Sequence, residues 1–211
     1  MSQQAKNTIR ILTVDDHPLL REGIAAILGL QPDMQLVGEA EDGAQAIKIF
    51  RELRPDVTLM DLQMPILNGV DTIAQIRKEF PDARIIVLTT YAGDAQALRA
   101  MRAGAAGYLL KGALRRDLLD TIRAVHGGRR YLSPEIAQQI ALHSSEDSLS
   151  EREIGVLRLV AIGKANKEIA GELSVSEDTV KAHLKSVFAK LNVGDRTQAV
   201  TLALKRGIIE L

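Results

Sequence analysis

The sequence predicts two domains: an α/β domain with a doubly wound, five-stranded parallel sheet, and a smaller all-α domain of four helices. The first prediction rests on five short apolar runs that alternate with five segments of helical apolar spacing. The second rests on the lack of strand-like runs after residue 148, where helix-capping residues recur at short intervals instead. The length of 211 residues suits this division.

The α/β pattern is regular in its strands and in its helices. In the first helical segment Leu20, Ile24 and Leu28 repeat at i, i+4 and i+8, which places them on one helix face. Because a helix follows each predicted strand, the chain is expected to form parallel βαβ units. The predicted strands span residues 9–15, 34–40, 56–61, 83–90 and 107–110, and the later helices lie near 47–53, 69–79, 95–103 and 114–126.

The stretch HGGRRYLSPE, residues 126–135, ends this pattern with two glycines and a proline. Ser133 and Pro134 suit the N-cap and the first position of a short helix over 134–142, and the polar segment HSSEDS follows. We therefore predict a first domain over residues 1–126, a linker with a short helix over 127–147, and a second domain over 148–211.

Capping signals define the helices of the second domain. Ser150 and Glu153 form a capping-box pattern, and Ser176 suits the N-cap of a helix that continues to about residue 191. Asn166 and Asp195 are further N-cap candidates. Four apolar residues of the long helix are expected to face the core because they share one side: Val180, Leu184, Val187 and Leu191.

The composition excludes several classes of protein. No cysteine is present, which excludes disulfides and thiolate metal sites and agrees with a reducing compartment. No apolar run approaches the roughly 20 residues of a membrane span, so we expect a cytoplasmic protein without membrane association. The net charge is −2 over residues 1–147 and +2 over residues 148–211, a weak indication of polyanion binding by the second domain.

Polar residues end or follow four of the predicted strands. Asp15 and Asp16 end the first strand, Asp61 the third and Thr89 the fourth, and Lys111 follows the fifth. The carboxyl ends of parallel strands meet at one edge, so these residues are expected to converge. Clustered carboxylates need a cation, and oxygen ligands suit Mg²⁺. A carboxylate held there can attack a phosphoryl group, with Lys111 and Thr89 engaging its oxygens.

Each of these residues alone has an ordinary explanation. An acid after a strand usually caps a helix or lies in a solvated loop, Thr89 can be a plain strand residue, and Lys111 can be a surface lysine. It is their joint position at the strand ends that favours a phosphoryl site.

Four stretches carry a family resemblance: VDDHPLLREGI, LMDLQMPILNG, IIVLTTY and GAAGYLLK. Over residues 8–126 the chain resembles the receiver domain of bacterial response regulators, which has a flavodoxin-like fold. The resemblance implies that Asp61 accepts a phosphoryl group from a sensor histidine kinase. It also implies Mg²⁺ ligation by Asp61, by Asp16 directly, by Asp15 through water, and by the backbone carbonyl of Gln63.

The same resemblance implies a switch. Thr89 is the expected switch hydroxyl, Lys111 the expected phosphate-pairing base, and Tyr108 the expected switch aromatic, although a strand tyrosine can also be buried only for packing. Gly112 stands where many receivers have a proline, which leaves the backbone after Lys111 open. We expect slow self-hydrolysis of the phosphoryl group because the bulky Tyr91 should hinder an attacking water.

The long helix of the second domain has a cationic face. Lys181, Ala182 and Lys185 combine long charged side chains with a small residue, which suits close approach to a DNA major groove but is also found on ordinary solvated helices. The stretch LSEREIGVLRLVAIGKANKEIAGELSVSEDTVKAHLKSVFAKLNV resembles the LuxR/NarL helix-turn-helix over residues 148–211. That resemblance implies a scaffold helix over 167–173 and a recognition helix over 179–191. Lys181, Ala182 and Lys185 are then expected at base edges, and Asn166, Lys167, Thr179 and Lys190 at or near phosphates.

The four histidines are scattered along the chain, so no zinc site is predicted. His183 has no second ligand at helical spacing and is interpreted as a helix-face residue.

Together these patterns predict a two-component transcription regulator that binds Mg²⁺ and double-stranded DNA. It is expected to be switched by phosphorylation of Asp61, to act as a homodimer on inverted repeats when phosphorylated, and to catalyse only its own phosphoryl transfer and hydrolysis. RNA polymerase is a further candidate partner. Two alternatives stay open: a Mg²⁺-dependent phosphohydrolase, which Gln63 disfavours because a general acid is expected there, and a DNA-binding protein regulated by other means.

Overall fold

The computed structural model describes residues 8–90, 94–143 and 149–209. These residues form two compact units, which are described separately. The first contains residues 8–90 and 97–134, and the second contains residues 94–96, 135–143 and 149–209.

The first unit is built on a parallel sheet with the strand order β2-β1-β3-β4-β5-β6. Its α/β parallel architecture confirms the predicted fold class. The strands are β1 (Ile9–Val14), β2 (Met34–Ala40), β3 (Val57–Asp61), β4 (Ile85–Thr89), β5 (Gly107–Leu110) and β6 (Tyr131–Leu132). The helices are α1 (Pro18–Gly29), α2 (Gly43–Leu53), α3 (Gly69–Glu79), α4 (Asp94–Ala103) and α5 (Leu114–His126).

The sheet has six strands, so the predicted count of five was wrong by one. Tyr131–Leu132 lies in the segment predicted as linker and pairs in parallel with β5, where Tyr131 aligns with Gly107 and Leu132 with Tyr108. The Ser133 N–H then donates to the Tyr108 carbonyl oxygen at 3.2 Å. Two residues between glycines and a proline are too few to show a strand period, which explains why the sequence did not reveal β6.

Strands β1, β3, β4 and β5 are buried almost throughout, and their buried side chains are mostly aliphatic. Helices α1 and α5 contribute to one cluster with the strands through Ile24, Leu28, Leu118 and Ile122. Polar caps fix the starts of the helices that lead away from β2 and β3. Asp42 accepts from the Gln45 N–H, and Asn68 accepts from the Asp71 N–H, each at 2.9 Å.

Gly69 begins α3 in close contact with the end of β3, and we expect alanine there to be costly. An added Cβ would overlap the Asp61 carbonyl oxygen and lie 2.8 Å from Leu62 Cα. Because both neighbours are backbone, Gly69→Ala should lower the free energy of unfolding by about 2 kcal/mol and displace Asp61. Amide hydrogen exchange of β3 in the full chain measures this.

Gly23→Ala is the matched control, because an added Cβ in α1 has nothing within 4 Å. It should stabilise α1 by about 0.5–1 kcal/mol through helix propensity. Equal exchange rates in Gly69→Ala and the unmodified protein would contradict the close approach of α3 to β3.

The second unit is helical. Its described helices are α6 (Pro134–His143), α7 (Glu151–Ala161), α8 (Asn166–Leu173), α9 (Glu177–Leu191) and α10 (Arg196–Lys205). Four of them, α7 to α10, form the predicted all-α module, and α9 buries the predicted face of Val180, Leu184, Val187 and Leu191.

Most predicted caps in this unit are present. Ser150 and Glu153 form a capping box, Ser176 caps α9, and Asp195 accepts from the Gln198 N–H at 2.8 Å. Asn166 is not an N-cap: Ala165 takes that position, and its N–H donates to the Glu168 carboxylate at 2.7 Å. A glutamate in the first turn thus satisfies the backbone without an N-cap side chain.

Pro134 begins α6 as predicted, but Ser133 does not cap it. The Ser133 hydroxyl is buried and has no hydrogen-bond partner in the part of the chain that the structure describes. The backbone N–H of Ser133 instead bonds to the Tyr108 carbonyl oxygen of β5.

Candidate functional site

Three carboxylates converge at the carboxyl edge of the sheet, as the parallel strands require. Asp61 is the last residue of β3, and Asp15 and Asp16 directly follow β1. The side chains of Asp15 and Asp61 are buried, whereas Asp16 is partly exposed. Asp61 is 46 and 45 positions from Asp15 and Asp16 in sequence, yet the three form one acidic edge with an open side.

Lys111 joins the two buried carboxylates. Its Nζ lies 2.7 Å from Asp15 Oδ2 and 2.9 Å from Asp61 Oδ2, and only 12% of its side chain is exposed. Residues Lys111 to Ala113 form a short 3-10 turn before α5, which is the conformation of the backbone at Gly112. Three carboxylates and one ammonium leave two negative charges, which one divalent cation would balance.

Burial and charge act against each other at Asp61. Burial raises the pKa of its carboxyl group above the ordinary value and Asp15 adds to this, whereas Lys111 and the Gln63 N–H lower it. Burial also lowers the pKa of Lys111, but hydrogen bonds and charges from Asp15 and Asp61 together raise it above its usual range. The lysine is therefore charged at neutral pH, and Asp61 is an unusually basic carboxylate.

His17 also lies at the acidic edge, a position that was not predicted from the sequence. Ligand atoms of His17, Asp15, Asp16 and Asp61 all lie within 4.8 Å of one another. This is the one such group among the described residues. Three of the four donors are carboxylates, so the set fits a hard divalent cation such as Mg²⁺.

Thr89 lies on β4, which pairs with β3, and Tyr108 lies on β5, the next strand of the sheet. Thr89 ends β4 and is buried, and Tyr108 is fully buried in β5. Burial raises the pKa of the Tyr108 phenol above its ordinary value, while Thr89 and Arg99 oppose the increase and Asp61 adds to it. A change of charge at Asp61 therefore changes the electrostatic potential at both residues.

Of two further residues predicted at the site, Gln63 and Tyr91, the structure describes only Gln63. Gln63 lies in the loop after β3 and is exposed, and its N–H is close enough to lower the pKa of Asp61. Tyr91, on which the expectation of slow self-hydrolysis rests, lies outside the described residues.

In the second unit, the exposed face of α9 carries the three residues predicted at base edges. Lys181, Ala182 and Lys185 are all exposed, opposite the buried apolar face. Lys181 is held by two acids of the first helical turn: its Nζ lies 3.4 Å from Glu177 and 3.2 Å from Asp178. These pairs raise the pKa of Lys181. Lys185 makes no ion pair within the described part of the chain.

The four residues predicted at or near phosphates differ in their exposure and in their bonding partners. Lys167 is exposed in the first turn of α8, Asn166 is half-buried, and the Thr179 N–H donates to Ser176 Oγ in the cap of α9. Lys190 instead pairs with a buried acid, since its Nζ lies 2.9 Å from Glu153 Oε2.

Glu153 is the centre of a polar cluster that the sequence revealed only in part. Besides Lys190, it accepts from the Ser150 N–H at 2.6 Å and from Ser186 Oγ at 2.6 Å. Burial alone would raise the pKa of Glu153, but these bonds lower it to about 2. The capping box predicted the bond to Ser150, whereas Ser186 and Lys190 carry no local signal. Glu153 thus fastens the start of α7 to the last two turns of α9.

No described helix is both long enough and apolar enough to cross a lipid bilayer.

Two known families match the chain, one for each unit. The family described as "Response regulator receiver domain" matches residues 11–123, and "Bacterial regulatory proteins, luxR family" matches residues 147–203. Among curated proteins, the transcriptional regulatory protein LiaR of Bacillus subtilis is 41% identical over 209 residues, which cover 95% of this chain and 99% of LiaR. The response regulator protein VraR of Staphylococcus aureus is 37% identical and covers 96% of this chain and 100% of VraR.

Solved structures agree with these matches. A two-component response regulator of the LuxR family from Aurantimonas sp. SI85-9A1 is 41% identical with a TM-score of 0.63, and the match covers 66% of this chain and 99% of that one. RcsB from Salmonella enterica serovar Typhimurium, solved bound to promoter rprA with the phosphomimetic BeF3−, is 29% identical with a TM-score of 0.70. That match covers 94% of this chain and 99% of RcsB. RcsB has also been solved as two dimers bound to two parallel DNAs.

Proposed function

Since this chain belongs to the two-component response regulators with a LuxR-type DNA-binding domain, and is a transcription regulator of that family, we propose that a sensor histidine kinase phosphorylates Asp61 and thereby controls DNA binding. The observation that carries the proposal is the pairing of Asp61 with Lys111 at 2.9 Å on an acidic edge. A regulator of this family is not an enzyme with an external substrate, so the phosphohydrolase alternative is set aside.

The reaction transfers one phosphoryl group between two side chains. A carboxylate oxygen of Asp61 attacks the phosphorus of a phosphohistidine on the kinase, the N–P bond breaks, and an O–P bond forms. The electron pair stays on the imidazole nitrogen, which takes up a proton. Lys111 lies close enough to both buried carboxylates to pair with the new phosphoryl oxygens. Hydrolysis of the acyl phosphate at the same site then resets the switch.

Asp15, Asp16 and Asp61, with the backbone carbonyl of Gln63, would hold Mg²⁺ at this edge. The cation supplies charge neutralisation for the incoming phosphoryl group when it is bound. The fit is supported by the two negative charges that Lys111 leaves uncompensated and by donor atoms within 4.8 Å of one another.

Phosphorylation adds charge next to buried Thr89 and Tyr108, and we assign both to the switch. The new anion draws the Thr89 hydroxyl toward it, and Tyr108 repacks in β5, which shifts the balance between two surfaces of the domain. In this proposal residues 1–126 form the receiver domain, 127–147 the linker, whose strand β6 completes the receiver sheet, and 148–211 the DNA-binding domain.

The output of the switch is DNA binding by a homodimer on inverted half-sites, with α9 in the major groove. RcsB dimers bound to DNA support this arrangement by likeness. We propose that the protein acts on promoter DNA in the cytoplasm, where RNA polymerase is a further candidate partner.

Selection of binding sites from random duplexes tests the proposal. The full-length protein is incubated with and without a small-molecule acyl phosphate and Mg²⁺. We expect phosphorylation to enrich two copies of a half-site in inverted orientation. Identical selected sequences and affinities in both conditions would contradict control by phosphorylation.

Lysines on the exposed face of α9 should differ in their contributions to DNA affinity. Lys185→Ala should weaken specific binding about tenfold or more, because Lys185 is exposed and unengaged by acids in the described residues. Lys181→Ala should cost less, because DNA binding must first break the Lys181 pairs with Glu177 and Asp178. Electrophoretic mobility shifts at several salt concentrations measure both.

Lys205→Ala, an exposed lysine at the end of α10, is the charge-matched control and should leave affinity almost unchanged. A larger loss of DNA affinity in Lys205→Ala than in Lys185→Ala would show that the DNA-binding face does not lie on α9.

A further inference from the structure

The His17 imidazole faces the acidic edge although 68% of the side chain is exposed. Its Nδ1 lies 2.7 Å from Asp16 Oδ1 and 3.1 Å from Asp15 Oδ1. A solvent-exposed histidine has room for other orientations. These contacts place the imidazole nitrogen beside carboxylate oxygens that would bind a cation.

Neighbouring residues fix the backbone of His17. Pro18 occupies the first turn of α1 and restricts the preceding residue to extended conformations, and His17 has φ −93° and ψ 105°. The His17 N–H donates to Asp15 Oδ1 at 2.9 Å, which fixes the turn after β1. The sequence DDHP thus fixes the backbone of this turn, and the Nδ1 contacts with Asp15 and Asp16 orient the imidazole.

Lys111 and His17 contact different oxygens of the Asp15 carboxylate. Lys111 contacts Oδ2 of Asp15 and Oδ2 of Asp61, whereas His17 contacts Oδ1 of Asp15. A cation beside the imidazole therefore does not need to displace the lysine. One ligand atom from each of four residues remains within 4.8 Å of the others.

The chemistry of the donors distinguishes among divalent cations. Mg²⁺ binds oxygen and keeps its waters, whereas imidazole nitrogen is a good ligand for first-row transition metals. We propose that His17 is a metal donor, which adapts the acidic edge to a first-row transition metal such as Mn²⁺ or Co²⁺. This inference rests on the proposed cation site and adds a nitrogen ligand to it.

Calorimetric titration of the untagged full-length protein with Mg²⁺, Mn²⁺ and Co²⁺ tests the proposal. His17→Ala and His17→Gln should weaken Co²⁺ binding about 10–100-fold, as loss of a ligand-sphere group does, and leave Mg²⁺ affinity within about twofold because Mg²⁺ uses oxygen. Pulsed electron paramagnetic resonance of bound Mn²⁺ should show coupling to an imidazole ¹⁴N that His17→Ala removes. His126→Ala, in the last turn of α5, is the control and should change neither reading.

Other outcomes overturn the inference. If His17→Ala strengthens binding of all three cations, the imidazole is a competitor that blocks the carboxylates. If affinities and the ¹⁴N coupling are unchanged, His17 is not a ligand. The proposed function fails separately, since absence of Mg²⁺ binding to the unmodified protein would remove the cation site itself.

Discussion

Asp61→Asn abolishes phosphoryl incorporation, because the amide that replaces the carboxylate is not a nucleophile. We expect the intact mass of the full-length protein to gain one phosphoryl group from an acyl phosphate with Mg²⁺, and the variant to gain none. DNA affinity of the variant should then be independent of the donor. Asp82→Asn, which changes an exposed acid between α3 and β4, is the control and should be phosphorylated normally.

The loss in Asp61→Asn should not come from unfolding. Burial raises the pKa of Asp61 above its unfolded value, so the ionised carboxylate opposes folding at pH values above that range. An uncharged asparagine keeps the size of the side chain and can still accept from the Leu62 N–H, which now donates to Asp61 Oδ1 at 2.7 Å. The free energy of unfolding at neutral pH should therefore be equal or higher in the variant. Phosphorylation of the variant at normal stoichiometry would place the acceptor elsewhere.

Glu153→Ala should destabilise the DNA-binding unit by about 3 kcal/mol, because it removes the acceptor for Ser150, Ser186 and Lys190 at once. Lys190 is 25% exposed and can recover some hydration in the variant. The loss of stability therefore lies at the lower end of the range for breaking a buried ion pair. Hydrogen exchange of α7 and α9 in the full chain gives the local free energy of opening. Glu151→Ala changes an exposed acid in the same turn and is the matched control.

The contribution of Glu153 should depend on pH in a defined direction. Its pKa is lowered from 4.5 to about 2, so the folded state binds fewer protons than the unfolded state between these values. The stabilisation is complete above pH 4.5 and is lost as the pH falls toward 2. The difference between the unmodified protein and Glu153→Ala should shrink over the same interval. A constant difference would show that the charge of Glu153 is irrelevant.

Much of the acidic edge was predictable because it follows from topology. Once the strands are parallel, residues at their carboxyl ends must meet, and Asp15, Asp61 and Lys111 do so from distant positions in the chain. The caps at Ser150, Ser176 and Asp195 were equally accessible, because each bond spans three residues. Sheet topology therefore predicts the acidic edge, and short-range capping patterns predict the helix caps.

What escaped prediction depends on contacts with no fixed spacing. The bonds from Ser186 and Lys190 to Glu153 span 33 and 37 residues within one domain, and no periodic pattern records them. His17 was dismissed because other histidines are far away in sequence, although its partners were the two preceding acids. Asn166 was misplaced because a glutamate in the first turn can replace a capping side chain.

The two-residue strand β6 has a consequence for how the sheet meets its surroundings. Without it, β5 would present unpaired backbone groups at Gly107 and Tyr108, and an open strand edge is a template for pairing with another chain. Tyr131 and Leu132 close that side with a strand too short to recruit a further one. A receiver fragment cut after residue 126 would lose this cover and gain a surface prone to aggregation, so the natural end of the folded sheet lies at Leu132.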